Sequence, residues 1–384
     1  MRLAKFTITA VILGSSSLLG VPAASALDHV VLRRDGKQIE VAGKLLVAAQ
    51  DGGLLLMARD GVLWAVTPDE LVSKSSDAAP FEPLGAKELG AKILADLPAG
   101  FDCYETAHYL IVYNTSRGYA QWCGSLFERL YMAFTNHWTR KGFELSEPEF
   151  PLVALVFADR RSYADYARPE IGDNAGSIIG YFSLASNRMA MYDLTGTQAL
   201  NRTTDRNSAA EINRILAQPA AERIVATIVH EATHQIAFNC GLHTRYSDCP
   251  LWFSEGIAVY FETPDLGSSR GWRSIGTVNT TRLAQFRQSL RSRPSDSLVT
   301  LIRDDERLRK SGETLDAYAE AWALTYFLIR QYPRQYLAYL KTLSEKTPLI
   351  WDEPETRIRE FKAAFGEDLH ALDAEFLRYM GKVR

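Results

Sequence analysis

The sequence predicts an α+β protein in which a small antiparallel β domain precedes a larger mixed domain that turns helix-rich toward its C-terminal part. Three observations predict this class. Up to about residue 71, short apolar runs are punctuated by Asp35-Gly36, Asp51-Gly52 and Asp60-Gly61; Asp-Gly between extended runs marks hairpins because glycine accepts positive φ. From about residue 85, stretches of strand and helix period are mixed. From Thr280 onward the apolar spacing is almost wholly helical.

The chain opens on Met1-Arg2-Leu3-Ala4-Lys5, a basic start, followed by an apolar run from Phe6 to Val21 and an A-x-A site at Ala24-Ser25-Ala26. That is the pattern of a cleaved export signal over residues 1–26. Serines and glycines interrupt the run, no later run is long enough to span a bilayer, and no cysteine follows the site for lipid attachment. The expectation is an exported, periplasmic or extracellular protein without a stable membrane span.

Residues 27–72 read as a small β-barrel-like domain with strands at His29–Arg33, Ile39–Ala48, Leu54–Ala58 and Val62–Val66. Such a set of hairpins curls into an SH3-like meander. Residues 73–84, opening with Ser73-Lys74-Ser75-Ser76-Asp77, read as a linker. Docking of substrate or cell envelope and plain packing are both open roles for this domain. In the larger domain, residues 85–384, a helix is expected at Ala86–Asp96, a strand at Tyr109–Asn114, a helix at Gly118–Thr139 and a strand at Leu152–Phe157. Extended segments follow at Ser177–Ser183 and Arg188–Asp193. Helices are expected at Thr280–Arg291, Leu315–Gln331, Arg334–Ser344 and Glu355–Phe365, and His370 with the final helix carries no legible chemistry.

Composition is that of an ordinary globular chain, 47% hydrophobic and 23% charged with a formal net charge of −3. There is no basic excess for nucleic-acid binding.

The chemistry concentrates at Ile228-Val229-His230-Glu231-Ala232-Thr233-His234-Gln235, an HExxH motif in a chain with only seven histidines. Pro219 suits a first helical turn, Glu222 complements the helix dipole, and Gly241 suits the C-terminal end. Ile224, Val225, Ile228, Val229, Ala232 and Ile236 form a broad apolar stripe. His230 and His234, four apart, share one face and can bind one ion; Glu231 then stands beside a metal-activated water as its base. A catalytic zinc needs a third protein ligand. Glu255 fits that need, twenty residues past His234 in Leu251-Trp252-Phe253-Ser254-Glu255-Gly256-Ile257-Ala258-Val259-Tyr260-Phe261-Glu262. Ala258, one turn along, allows close helix approach, whereas Glu262, two turns along, is less well placed for the same ion.

These two stretches resemble the gluzincin metallopeptidases, closest to their peptidase-MA-like branch. With Tyr109-Leu110-Ile111-Val112-Tyr113-Asn114-Thr115-Ser116 they resemble a bacterial exported family catalogued only as a domain of unknown function, from about residue 85 to the end. The resemblance implies a zincin-like metallopeptidase domain, one zinc per chain held by His230, His234 and Glu255, and a peptide or protein substrate. It also implies a tyrosine donor to the oxyanion, which falls on Tyr318, with Tyr326 and the loop residue His243 as weaker candidates. Similar enzymes bind extended substrate along a sheet edge, here assigned to Arg188, Met189, Ala190, Met191 and Tyr192. A non-catalytic zincin-like binding protein of the cell envelope and a zinc-dependent non-peptidase amide hydrolase remain alternatives.

Four cysteines in an exported chain allow two disulfides. Cys103–Cys123 and Cys240–Cys249 are the economical pairing, and the second would brace the connection to the Glu255 helix.

Overall fold

The computed structural model describes residues 26–196, 208–263, 275–310 and 312–384. The expected export signal lies almost wholly outside the described residues. Among the described residues no helix is long and apolar enough to cross a membrane.

The N-terminal part is a five-stranded antiparallel sheet in the order β4-β3-β2-β1-β5, built from β1 (Ala26–Arg34), β2 (Lys37–Ala48), β3 (Leu54–Ala58), β4 (Leu63–Val66) and β5 (Leu71–Pro80). The first three turns sit where the Asp-Gly pairs are, with Gly36, Gly52 and Gly61 all at positive φ. The stretch expected as a linker is instead mostly β5, paired antiparallel with β1 through Asp28↔Ser76 and Val30↔Lys74. It was illegible because its side chains are exposed, so no apolar alternation marks it. Backbone pairing and a 2.5 Å hydrogen bond from Ser76 Oγ to Asp28 Oδ1 hold it.

The second sheet has the order β6-β7-β8-β10-β9. Its strands are β6 (Asp102–Glu105), β7 (Tyr109–Tyr113), β8 (Leu152–Phe157), β9 (Gly180–Phe182) and β10 (Arg188–Tyr192). The inner strands β7, β8 and β10 run parallel and are almost fully buried, which explains their unbroken apolar runs. The edges β6 and β9 are antiparallel to their neighbours.

Around this sheet lie α1 (Ala86–Asp96), α2 (Arg117–Arg140), α3 (Arg160–Ile171), α4 (Ala209–Leu216), α5 (Pro219–Asn239) and α6 (Leu251–Phe261). A helical layer follows: α7 (Thr280–Ser289), α8 (Ser297–Arg303), α9 (Glu306–Arg309), α10 (Thr314–Gln331), α11 (Pro333–Ser344), α12 (Pro354–Phe365) and α13 (Leu369–Met380). Helix α3 escapes a sequence reading because it is charged, contains Pro169 and buries only Tyr163, Ala164 and Ala167. Its start is fixed by Asp159, whose carboxylate accepts from the Arg161 and Ser162 amides.

Neither expected disulfide forms; all four cysteines are free. Strand alternation accounts for the first pair. Cys103 faces α1, where its sulfur lies against Gly90, while the adjacent Tyr104 faces Gly124 of α2, the helix that carries Cys123. The two cysteines therefore lie on opposite faces of the sheet. In the second pair, Cys240 sits against Tyr131 of α2, whereas Cys249 Sγ lies 3.7 Å from His243 Nδ1, near Asp248 and Arg357.

The two sheets meet at the β9–β10 turn. Leu63 N donates to Ala185 O at 2.8 Å, and the buried Arg245 donates from Nη1 to Gly61 O at 2.9 Å and to Leu184 O at 3.2 Å. Leu55, Met57 and Leu63 pack with Phe150 into a small shared core. The N-terminal sheet thus buttresses the hairpin that borders the site described next.

Candidate metal centre

Helix α5 is driven into the core by Val225, Ile228, Val229, Ala232 and Ile236, all buried. That leaves His230, Glu231 and His234 on the remaining face. Helix α6 is buried along nearly its whole length and runs against α10. Their closest approach rests on Gly256, where a Cβ would meet Thr325 Oγ1 at 2.1 Å and Ala321 O at 2.8 Å. A side chain there would push Glu255 away from α5 or unseat α10.

The packing brings three donor atoms together. His230 Nε2 lies 3.0 Å from Glu255 Oε2, His234 Nε2 lies 3.2 Å from His230 Nε2, and His234 Nε2 lies 3.4 Å from Glu255 Oε2. Four ligands arranged tetrahedrally at zinc-like bond lengths would be separated by about 3.3 Å, so the three atoms already occupy one face of such a tetrahedron. Among the described residues, His230, His234 and Glu255 are the group able to hold a metal ion.

Electrostatics matches the geometry. Burial pushes the His230 imidazolium down, but the Glu255 carboxylate more than reverses this through its hydrogen bond and charge, to about 9. Burial pushes Glu255 up, and the His234 charge and hydrogen bonds from both histidines carry it well below the carboxylate range. The pair yields a prediction for the metal-free protein. A histidine raised from the usual value of about 6.5 contributes stability that is complete below that pH and lost as pH rises through the folded value. Thermal melts of the chelator-treated protein should therefore fall between pH 6.5 and pH 9. A His230→Gln variant should flatten that slope; the same slope in the variant would assign it elsewhere.

Glu231 points to one side of the three donors. Its Oε2 accepts from Phe182 N at 2.9 Å, which ties it to the edge strand β9. Burial raises its pKa, opposed by the charges of His230 and His234. Both effects suit a base that must take and return a proton. Strand β9 is itself pinned by Glu170 of α3, which accepts from Tyr181 Oη at 3.1 Å and from Ser183 Oγ at 2.5 Å.

The structure brings Tyr318 to the site. Its phenol is raised by burial, then by the charges of Glu255 and Glu231 near it. Tyr326 is directed away, packing on Trp322, Tyr260 and Tyr379 with the Arg330 guanidinium 5.2 Å from its ring centre. His243 is buried between Phe238 and Phe253, its pKa pushed down by burial to about 3, and it supplies no donor to the cluster.

The expected substrate edge needs correction. Arg188, Met189, Ala190, Met191 and Tyr192 form β10, which is paired on both sides by β8 and β9 and presents no free edge. The edge beside Glu231 is β9. The hairpin was legible, but sequence gives no rule for which of its two strands lies outside.

Arg282 and Arg357 escaped the sequence reading, and Glu262 was weighed there only as a less well placed ligand. Glu262 faces the back of His230, its Oε1 4.0 Å from Nδ1. Arg282 reaches Glu262 from α7, and Arg357 anchors the start of α6 from α12. Only Glu262 left a trace in sequence, as an acid ending an otherwise apolar helix.

Residues 224–350 match the model of a family described as a protein of unknown function, DUF1570. The match begins inside α5, not near residue 85, and covers less than half of the chain. It includes His230, Glu231, His234, Glu255 and Tyr318. No curated protein matches the chain.

Proposed function

We propose that this chain is an exported zinc metallopeptidase of gluzincin type. The observation that carries the reading is the convergence of His230 Nε2, His234 Nε2 and Glu255 Oε2 at 3.0 to 3.4 Å from one another, with Glu231 beside them. Two imidazoles and a carboxylate are a catalytic zinc donor set, and such a set leaves one position open. Zinc, when bound there, would supply Lewis acidity toward a water and a carbonyl oxygen.

The chain's own residues would do the rest. Glu231 takes a proton from the attacking water and returns it to the departing amine, which balances the hydrolysis of one peptide bond. Tyr318 donates its phenolic proton in a hydrogen bond to the developing oxyanion, a contribution of roughly 3–4 kcal/mol. Strand β9 is the edge where a peptide backbone would add, taking the Phe182 amide that Glu231 now holds at 2.9 Å. Export rests on the run read from residues 1–26.

The test combines metal content with cleavage. Purified protein should carry one zinc per chain, lose it in a His230→Ala/His234→Ala variant, and cut members of a peptide library only when loaded. Zinc binding without any cleavage would favour the binding-protein alternative. Absence of stoichiometric metal after zinc loading would end the metallopeptidase reading.

A further inference from the structure

We propose that Glu262 and Arg282 are positioning residues of the candidate metal centre, Glu262 orienting His230 from behind and Arg282 holding Glu262 in place. The inference rests on the metal reading above. His230 uses Nε2 toward Glu255 and His234, while its Nδ1 on the far side of the ring is buried with no hydrogen-bond partner. A buried ring nitrogen left so is costly. When Nε2 serves as a metal ligand, the remaining imidazole proton sits on Nδ1 and needs an acceptor.

Glu262 Oε1 faces that atom at 4.0 Å, so a closure of about 1 Å makes the hydrogen bond. The same geometry argues against Glu262 as a further ligand, since it lies on the Nδ1 side and outside the group of converging donors. Its seat is the first turn of α7. Arg282 Nη2 reaches its two oxygens at 3.5 and 3.4 Å, and Asn279 Nδ2 reaches Oε2 at 3.4 Å. Asn279 also caps α7, its side chain accepting from Arg282 N at 3.1 Å. The Arg282 guanidinium lies 5.7 Å from the centre of the Tyr318 ring, and Tyr318 lies close enough to Glu255 for that charge to raise its phenol. One arginine thereby touches the acid behind one ligand and the phenol beside another.

The alternative is an ion pair that only closes the end of α6 against α7. Zinc affinity separates the two. Competition with a chromophoric chelator at neutral pH, on the full chain, should show Glu262→Ala weakening zinc on the order of 10- to 100-fold. Glu262→Gln keeps an acceptor oxygen without the charge and should lose less than Glu262→Ala; Arg282→Met should also weaken binding. In ¹⁵N-histidine spectra of the zinc-loaded protein, one ligand histidine should carry a protected Nδ1 proton whose resonance moves in Glu262→Gln. A purely structural ion pair would not move that resonance. Wild-type zinc affinity in Glu262→Ala and Glu262→Gln, with an unmoved Nδ1 resonance, overturns this inference alone. Failure of the wild-type chain to bind zinc overturns it together with the reading on which it rests.

Discussion

Replacing Glu231 by glutamine is expected to leave zinc content unchanged and to reduce peptide hydrolysis by a factor on the order of 10² to 10⁴, the range for loss of a positioned general base. Metal retention follows from the donor set, because Glu231 is not among the three converging ligand residues. Folding should survive as well. Glutamine has nearly the same shape, and its side-chain carbonyl can still accept from the Phe182 amide now held at 2.9 Å by Oε2. What glutamine cannot do is take a proton from water at neutral pH. The check is paired: zinc per chain by elemental analysis, and initial rates on a peptide that the wild-type chain cuts. Undiminished cleavage would remove Glu231 from the mechanism. Loss of zinc with the activity would show that Glu231 helps to hold the metal.

The motif and its helix were legible because both are local. His230 and His234 share a face by helix geometry alone, and the stripe from Val225 to Ile236 is buried as its period requires. Glu255 was reachable because the gap to the next apolar helix is short. Strands with a single buried face or with two were legible too, which is why β7 and β8 fall within a residue of their expected bounds. Legibility ended where side chains stopped reporting the backbone. β5 is a strand whose side chains are almost all exposed, and α3 hides a narrow buried stripe among charges. It ended again where position in the tertiary structure decided the role. Spacing placed Cys103 and Cys123 on neighbouring elements, but pleating puts them across the sheet from one another. Arg282 and Arg357 act on the site from α7 and α12, at separations for which sequence offers no rule.

The second large effect concerns what braces the Glu255 helix, a role the cysteines do not fill. Arg357 of α12 forks onto Asp248, with Nε at 3.0 Å from Oδ2 and Nη2 at 2.6 Å from Oδ1. Its Nη1 reaches Asp305 Oδ1 at 2.9 Å, and that same carboxylate oxygen accepts from Leu251 N at 3.0 Å, the first residue of α6. Asp248 is 1% exposed and Arg357 is 7% exposed, so water cannot replace either partner. Removing one side of a buried pair costs about 3–5 kcal/mol when the other charge is left alone; here Lys346 Nζ, 3.6 Å from Asp248 Oδ2, keeps part of the compensation. Arg357→Met should destabilise the metal-free protein toward the lower end of that range, about 3 kcal/mol, in urea unfolding, and should weaken zinc binding as the start of α6 loosens. Adding Asp248→Asn should recover part of the loss, since it removes the stranded charge; the two changes would then fall short of additivity. Two independent, additive losses of under about 1 kcal/mol each would place the pair among solvent-screened contacts. In that case Glu255 would owe its position to the packing of α6 on α10 at Gly256 rather than to the arginine.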